Sequence, residues 1–373
     1  MMHVLQVTPR YPPHMGGVET VVQRVSELLV AKGVDVTVYS VDLERRLPRR
    51  QKVNGVLVKR FAPLFGDPLY FPEPSFIGGL RQEKAEIVHV HNAHTLPPFL
   101  AALSKRREQR FLLQPYYHRF GQSSFRDSLL RLYKSGLRSI VLPRTDVVIA
   151  NSMYEKETLC EDFSVSGKTA LIPLGIDLEE VKRVRWVPEE PKRVLYVGAL
   201  KPYKNVDKII EGFAWLVRKK DASFRLVIVG QGSEYNSLVG LARRLRIDQF
   251  VEWKRGLSRQ QLLDEYAKAS VFVLLSSLES FSLVVYEALT IGVPAVVLNF
   301  GALTNLVSAG LAEGVNSLNA REIADALLRS TKKTYVRISD EMNVFLDWQD
   351  YSRRIIDIYN RLLEQGFRGT RRI

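Results

Sequence analysis

Hydrophobic residues along the chain fall into short apolar runs that end at glycines or polar loops, and longer stretches of helical period separate the runs. In the first half, the runs are His3–Val7, Val34–Tyr39, Ile87–Val90, Phe111–Leu113 and Val147–Ala150. In the second half, they are Val194–Val197, Arg225–Val229, Val251–Trp253, Val271–Leu275 and Ala295–Leu298. Buried strands that alternate with helices predict parallel sheets with crossover helices, formed twice along the chain.

Helical periodicity fills the intervals between the runs. It is clearest at Glu19–Lys32, Asp207–Arg218, Leu262–Lys268, Leu283–Thr290 and Asp347–Glu364. We therefore expect an α/β fold of two Rossmann-like, doubly wound domains that face each other across a cleft, and a length of 373 residues suits two domains. The expected domains span residues 1–180 and 181–346, separated by the polar stretch that follows Val181, and residues 347–373 form a closing helix that packs back on the first domain.

Composition indicates which kind of cellular compartment suits the protein. A hydrophobic fraction of 46% is enough to build a sizeable core. The single cysteine, Cys160, rules out an intramolecular disulfide and suits a reducing compartment. No window reaches the roughly 20 apolar residues of a membrane-spanning helix, and the N-terminal residues resemble a strand rather than a secretory signal. We expect a soluble cytoplasmic protein.

Charge favours an anionic partner, because the formal net charge is +14. Ten basic residues and two acidic ones lie between Lys105 and Arg144, interleaved with leucines. This segment fits an amphipathic helix on an anionic membrane surface, and it fits a solvated helix face equally well. Nucleic acid is the weakest partner, since the sequence shows no recognised module or stacking pattern.

The loop after Val271–Leu275 carries the strongest chemical signal. Small residues and Glu279 lead from a strand into a helix, whose first free amides, near Phe281–Leu283, suit a diphosphate. A carboxylate beside phosphate is unfavourable, so Glu279 and Glu287 suit neutral sugar or ribose hydroxyls. The alternative is that Glu279 lies near the helix cap and Glu287 is a surface residue.

A metal site is not expected. All six histidines lie in the first third of the chain, and the segment HVHNAH at His89–His94 lacks cysteines and has few carboxylates nearby to complete a coordination sphere. No D-x-D motif occurs, which argues against a manganese-dependent design. We predict no metal and no cofactor.

Several segments, in order, resemble those of glycosyltransferase family four. The first is the PxxGGxE loop in PPHMGGVE at Pro12–Glu19. The others are NSMYEKETL from Asn151, LIPLGID from Leu171, VGALKPYKNVDKIIEGF from Val197, LVIVGQGSEYNSL from Leu226, ESFSLVVYEALTIGVPAVV from Glu279, and the closing WQDYSRRIIDIYNRLL. The resemblance covers nearly the whole chain and implies the two-domain GT-B arrangement with a nucleotide-sugar donor.

The resemblance also implies roles for individual residues. His118 and Glu279 match residues beside the donor sugar, Lys204 the lysine that pairs with the diphosphate, and Glu287 the carboxylate that binds ribose. The further donor-binding candidates are Gly16, Gly17, Gly198, Gly230, Ser280, Phe281, Ser282 and Leu283.

The chain departs from the family pattern at three positions. Ala199 stands where the family typically has arginine, and Lys201 or Arg255 is expected to supply the missing charge. Ser282 replaces a glycine, and Asn305 replaces a frequent glutamate.

The predicted function is a metal-independent, retaining transfer of a sugar from a UDP- or GDP-type donor to a hydroxyl of a glycan or lipid-linked acceptor. Retention fits attack from the face of the leaving phosphate, since no committed protein nucleophile is evident. Two alternatives stay open at this stage. One is a nucleotide-sugar epimerase or phosphorylase of similar fold, and the other is a donor-binding protein that has lost catalysis.

Overall fold

A computed structural model of the protein describes residues 2–14, 16–67, 69–119, 124–332 and 345–369, except for the side chains of 124–129 and 365–369. The chain forms two compact units: Met1–Gly175 with Trp348–Ile373, and Ile176–Asp347. The first boundary lies five residues before the expected one. The second lies one residue after it, and the closing helix belongs to the first unit.

The strands in chain order are β1 (His3–Val7), β2 (Asp35–Val41), β3 (Arg50–Val53), β4 (Val56–Phe61), β5 (Pro63–Phe65), β6 (Phe71–Pro72), β7 (Ile87–His91), β8 (Arg110–Gln114), β9 (Val147–Ala150), β10 (Thr169–Leu171), β11 (Gly175–Ile176), β12 (Arg193–Val197), β13 (Arg225–Val229), β14 (Val251–Lys254), β15 (Val271–Leu274), β16 (Ala295–Leu298), β17 (Glu313–Val315) and β18 (Leu346–Asp347).

The α-helices are α1 (Gly17–Ala31), α2 (Ser75–Gln82), α3 (Pro97–Ser104), α4 (Ser124–Gly136), α5 (Met153–Phe163), α6 (Leu178–Lys182), α7 (Val206–Lys219), α8 (Tyr235–Arg244), α9 (Arg259–Lys268), α10 (Leu283–Ile291), α11 (Thr304–Ser308), α12 (Ala320–Ser330) and α13 (Trp348–Gly369). A π turn at Leu137–Val141 extends α4, and 3-10 turns lie at Leu142–Arg144, Ser166–Lys168, Pro202–Lys204, Asp248–Phe250 and Gly301–Leu303.

The second unit is built on a sheet with the order β14-β13-β12-β15-β16-β17, in which every pair is parallel. Counted within the unit, this is the 3-2-1-4-5-6 order of a Rossmann fold. All four residues of β15 and of β16 are buried, as expected for strands covered by helices on both faces. The carboxyl ends of β12 and β15, at the switch point of the sheet, therefore form the expected ligand edge.

The first unit has the order β10-β9-β8-β7-β1-β2-β4-β3, and only β3 is antiparallel. Its core includes an aromatic cluster in which the rings of Tyr39, Phe61 and Phe76 lie 5.0 to 5.8 Å apart. The hairpin of β3 and β4, absent from the sequence prediction, turns at Asn54 and Gly55, which both have positive φ. The predicted fold class, α/β with two Rossmann-like units, is confirmed.

Helix α13 completes the first unit. Its Tyr359 hydroxyl lies 2.8 Å from Nδ1 of His89, and its Tyr351 hydroxyl accepts a 2.9 Å hydrogen bond from Gln114. Both tyrosines are buried. The last helix therefore covers the buried polar side chains of β7 and β8.

Candidate functional site

Two loops at the carboxyl edge of the second sheet are joined by hydrogen bonds. Asn205, in the loop after β12, donates through its side chain to the Leu275 carbonyl and to Oγ of Ser277, each at 2.7 Å. In return, the Ser277 amide donates to the Tyr203 carbonyl at 2.9 Å. Since β12 and β15 are neighbours, these three bonds make the two loops one structural element, called here the loop strap.

Lys204 and Glu279 form an ion pair across the loop strap. Their side chains keep only 15% and 13% of their exposure. Burial alone would lower the pKa of Lys204, but the Glu279 carboxylate outweighs it and raises that pKa. The lysine is therefore charged throughout the neutral pH range. Two residues that the family resemblance assigned to the donor, from loops 75 residues apart in the chain, thus lie in contact.

Helix α10 begins directly after this pair. The amides of Val285 and Tyr286 donate to the Ser282 carbonyl at 3.2 and 3.4 Å. The amides that precede them have no intrahelical carbonyl to bond, as at the start of any helix. Phe281 is buried and stacks on Tyr286 at 4.3 Å, so it offers a ligand its backbone rather than its ring.

Ser282 occupies a backbone conformation that favours glycine. Its φ and ψ are 106° and 79°, in the left-handed half of conformational space. Its side chain makes no capping hydrogen bond. The glycine of the family pattern thus has a conformational reason at this position, and the serine adopts the same backbone shape at a cost.

Glu287 lies in α10 and is not a surface residue. Its Oε1 pairs with Nη1 of Arg259 at 2.7 Å, and the Tyr266 hydroxyl donates to its Oε2 at 3.3 Å. Burial raises the pKa of Glu287, while Arg259 and Tyr266 oppose that shift. Arg259 also binds Glu180 at 2.7 Å. Sequence reasoning missed Arg259, because its partners lie 28 and 79 residues away and no local motif marks it.

Gly198 and Gly230 have a packing role of their own. A Cβ built on Gly230 would lie 1.9 Å from the Gly198 carbonyl oxygen, and one on Gly198 would lie 2.9 Å from the Tyr196 hydroxyl. These glycines let the ends of β12 and β13 approach closely, which accounts for both residues without a ligand. Donor binding by either remains a prediction.

The charges expected to replace the missing arginine lie on exposed loops. Lys201 follows β12, and Arg255 follows β14 and stacks on the Tyr235 ring at 3.4 Å. The carbonyl of Ala199 accepts a hydrogen bond of 2.9 Å from the Tyr196 hydroxyl. Asn305 is exposed on α11. Both cations stand at the ligand edge of the sheet, and their contact with a donor remains a prediction.

In the first unit, the PxxGGxE loop ends at the start of α1. A Cβ on Gly17 would meet no atom within 4 Å, whereas one on Gly16 would lie 2.2 Å from Oε2 of Glu19. Glu19 is buried and pairs with Arg10 at 2.7 Å. The chain itself therefore leaves Gly17 room for a side chain, and the expected approach of a donor phosphate there is untested.

His118 stacks on His94, with ring centroids 4.1 Å apart and planes inclined by 15°. Burial lowers the pKa of His94 well below its ordinary value, so the ring beneath His118 is neutral. The stack fixes the plane of the His118 ring in the first unit. Lys204 and Glu279 belong to the second unit, and the role of His118 beside the donor sugar remains a prediction.

The other clustered histidines take part in a buried polar network. His91 Nε2 lies 2.6 Å from Oε1 of Gln6, whose Nε2 donates to the Tyr359 hydroxyl at 3.4 Å. Burial lowers the pKa of His89 to about 3 and that of His91 well below its ordinary value. In the ranges that the structure describes, no three histidine, cysteine or carboxylate side chains form a group able to hold a metal ion.

Four of the ten basic residues in segment 105–144 form ion pairs within the described residues. The ion pairs are Arg106–Glu108, Arg110–Asp146, Arg119 with Glu161 and Asp162, and Lys134–Asp162. Leu130 and Leu137 are buried, while Leu132 is 69% exposed. The side chains of Arg126 and Leu129 lie outside the described residues. Part of the apolar face expected to meet a membrane thus packs within the first unit.

No helix in the described part of the chain combines the length and apolar character that crossing a bilayer requires.

Comparison with known proteins places the chain among glycosyltransferases. Residues 15–180 match the family model for Glycosyltransferase Family 4, and residues 178–337 match that for Glycosyl transferases group 1. An uncharacterized glycosyltransferase from Methanocaldococcus jannaschii is 25% identical over 330 residues, which cover 82% of this chain and 83% of that protein. A D-inositol 3-phosphate glycosyltransferase from Corynebacterium aurimucosum is 29% identical over 269 residues, which cover 67% of this chain and 59% of that protein.

Solved structures show the same fold. Sucrose-phosphate synthase from Thermosynechococcus elongatus has a TM-score of 0.78 at 19% identity, with 98% of this chain and 100% of that one covered. The Anabaena protein HepE, crystallised with UDP and glucose, has a TM-score of 0.72 at 16% identity, with 96% and 100% covered.

Proposed function

We propose that this chain, a member of the family-four type of glycosyltransferases, transfers a hexosyl group from a uridine diphosphate sugar to an acceptor hydroxyl. The transfer retains the configuration at the anomeric carbon. The observation that carries the proposal is the Lys204–Glu279 pair on the loop strap, directly before the free amides of α10. A uridine donor is supported by HepE, which was solved with UDP and glucose.

Electrostatics explains why these groups suit a departing diphosphate. Lys204 carries a full positive charge, and the N-terminus of a helix carries about half a charge. In the protein without a donor, the negative charge of Glu279 neutralises the positive charge of Lys204. A diphosphate then meets a lysine and backbone amides that are already oriented, so little reorganisation is needed as the leaving group gains charge.

The reaction breaks the bond between C1 of the sugar and the phosphate oxygen, and the electron pair leaves with the diphosphate. The acceptor oxygen attacks C1 from the same face, and its proton passes to the leaving phosphate oxygen. Glu279 accepts hydrogen bonds from hydroxyls of the transferred sugar, while Glu287 holds the ribose and His118 approaches the sugar from the first unit. No step requires a metal or a protein nucleophile.

A thermal-shift screen against UDP-, GDP- and ADP-sugars in EDTA tests the donor assignment. A ligand at 100 times its dissociation constant stabilises the folded state by about 2.7 kcal/mol, so we expect a UDP-sugar to raise the melting temperature. NMR of the glycoside product should then show the anomeric configuration of the donor. Absence of a shift with every sugar, or an inverted product, contradicts the proposal, and conversion of labelled donor alone into another nucleotide sugar favours an epimerase.

A lipid-linked acceptor, with the protein bound peripherally to an anionic membrane from the cytoplasmic side, is the second proposal. It is supported by exposed apolar side chains beside basic ones: Leu64 and Phe65 are 51% and 61% exposed, and Arg45 donates to the Pro63 carbonyl at 2.9 Å. Flotation with phosphatidylglycerol vesicles at low salt tests it. Leu64→Ser combined with Phe65→Ser should reduce the floated fraction, and a wild-type protein that stays in the soluble fraction contradicts it.

A further inference from the structure

Arg259 is the first residue of α9, and the cap of that helix fixes its position. Oγ of Ser258 accepts a hydrogen bond of 3.3 Å from the Gln261 amide, and the Ser258 amide donates to Oε1 of Gln261 at 2.8 Å, so the two residues form a capping box. A positive side chain in the first turn of a helix is unfavourable, because the helix dipole is positive at that end. The local structure of α9 therefore does not explain an arginine at this position.

Two carboxylates from other helices do explain it. Nε of Arg259 donates to Oε2 of Glu180 on α6 at 2.7 Å, and its Nη1 pairs with Oε1 of Glu287 on α10, also at 2.7 Å. The guanidinium is planar and its donors have a fixed geometry, so the bond to Glu180 also fixes the nitrogen that meets Glu287. The third nitrogen, Nη2, is buried and has no hydrogen-bond partner within the described ranges. Arg259 therefore acts on a ligand through Glu287.

Glu287 keeps acceptor capacity while it is held in this way. Its Oε1 accepts from Arg259, and its Oε2 accepts from the Tyr266 hydroxyl at 3.3 Å. A carboxylate has about four acceptor sites, so each oxygen can accept one more hydrogen bond. The Glu287 side chain also retains 12% of its exposure. Two partners thus fix its orientation, and the acceptor sites that remain match a pair of adjacent ribose hydroxyls.

The charge of Glu287 also depends on Arg259. Burial raises the pKa of Glu287, and the carboxylate of Asp177, at the N-terminus of α6, raises it further. Arg259 opposes both effects through its charge and its hydrogen bond, and the Tyr266 hydroxyl adds a smaller opposing effect. Without Arg259, Glu287 would hold its proton to a higher pH. A protonated carboxyl group has a donor in place of one acceptor, and it binds a pair of hydroxyls less well.

We infer that Arg259 is a positioning residue of the donor site, which holds the Glu287 carboxylate so that it accepts hydrogen bonds from both hydroxyls of the donor ribose. The inference rests on the proposed transferase function. It concerns a residue between the segments LVIVGQGSEYNSL and ESFSLVVYEALTIGVPAVV, so the family resemblance did not assign it a role. An ion pair that only joined α9 to α10 would stabilise the fold without changing how the site distinguishes ribose from its deoxy forms.

The test compares UDP with 2′,3′-dideoxy-UDP, which lacks both ribose hydroxyls, by calorimetric titration of the full chain between about pH 6 and pH 9. Arg259→Met removes the charge, and Arg259→Lys retains it. Lys268→Met is the matched control, because Lys268 is the last residue of α9 and pairs with Glu189 at 3.2 Å. Both members of that pair are 43% exposed.

The wild type and Lys268→Met should prefer UDP to the dideoxy analogue by about tenfold or more, with little change over this pH range. In Arg259→Met, the preference should fall by at least about fivefold near pH 6 and recover as the pH rises, because Glu287 then loses its proton. Arg259→Lys should restore most of the preference, since a lysine keeps the positive charge beside Glu287.

Removal of one member of a buried ion pair is strongly destabilising. If Arg259→Met fails to fold, Arg259→Gln replaces it, because glutamine keeps an N–H donor for Glu287 and should show the same change at a smaller size. A folded Arg259→Met or Arg259→Gln that keeps the wild-type preference near pH 6 overturns the inference. So does a wild type that binds UDP and the dideoxy analogue equally, a result that leaves the transferase proposal in place. A wild type that binds neither nucleotide overturns the donor site and this inference together.

Discussion

At the scale of a single residue, the backbone conformation of Ser282 bears on the proposed anion site. Its positive φ places a side chain where only glycine is free of strain, directly before the amides of α10. The resemblance to family four identified this position as a departure, but the sequence alone did not show its φ. The structure therefore shows what the replacement of glycine by serine does at this position: it places a side chain on a backbone conformation that is unfavourable for every residue except glycine.

Ser282→Gly should stabilise the protein. Relief of an unfavourable conformation is worth about 1 kcal/mol, partly offset by the greater freedom of glycine in the unfolded chain. We expect the melting temperature to rise by about 2–4 °C. Ser280→Gly is the control, since Ser280 lacks a positive φ and should gain nothing. A lower melting temperature for Ser282→Gly than for Ser280→Gly would show that the serine is not strained.

At the scale of elements, the attachment of α13 to the first sheet depends on a neutral histidine. His89 on β7 contacts Tyr359 on α13, and burial lowers the His89 pKa to about 3. In the unfolded chain, histidine titrates near 6.5. As pH falls below about 6.5, the unfolded state binds a proton at His89 that the folded state does not bind. The contribution of the neutral histidine to the free energy of unfolding is therefore complete above this pH and is lost progressively toward pH 3.

His89→Asn should weaken this acid sensitivity. Between pH 7 and pH 5, the wild type loses about 2 kcal/mol through His89 alone, and the variant avoids that loss. The fall in melting temperature over this interval should shrink by about 4–8 °C, whatever the stability of the variant at pH 7. Tyr359→Phe keeps the buried histidine and should retain the full pH dependence. Equal falls in wild type and His89→Asn would show that His89 is protonated in the folded protein.

Strands and helices were predicted correctly where the pattern of apolar residues was clear. A hairpin was missed where the only signal was a short turn sequence. All ten apolar runs overlap strands, because buried parallel strands are continuously apolar. The β3–β4 hairpin was missed although Asn54-Gly55 is a strong turn signal. The Arg259–Glu287 pair was not predictable, because its members come together only through tertiary packing of α9 and α10.

At the scale of the whole molecule, the residues proposed to bind the donor are divided between the two units. Lys204, Glu279 and Glu287 belong to the second unit, whereas Gly17 and His118 belong to the first. The strand, loop and helix pattern and the family resemblance marked these candidates in the sequence. The contact between Lys204 and Glu279 was not predictable, because only the pairing of β12 with β15 brings their loops together.

The most direct test of the donor site is calorimetric titration of UDP, in EDTA, into the wild type, Lys204→Gln and Lys219→Gln. Lys219 is an exposed lysine in the last turn of α7, the helix that follows the Lys204 loop, and serves as the matched control. We predict that Lys204→Gln binds UDP at least tenfold more weakly, about 1.4 kcal/mol, and that Lys219→Gln stays within about twofold of the wild type. Unchanged affinity in Lys204→Gln, or no binding of UDP to the wild type, would contradict the account.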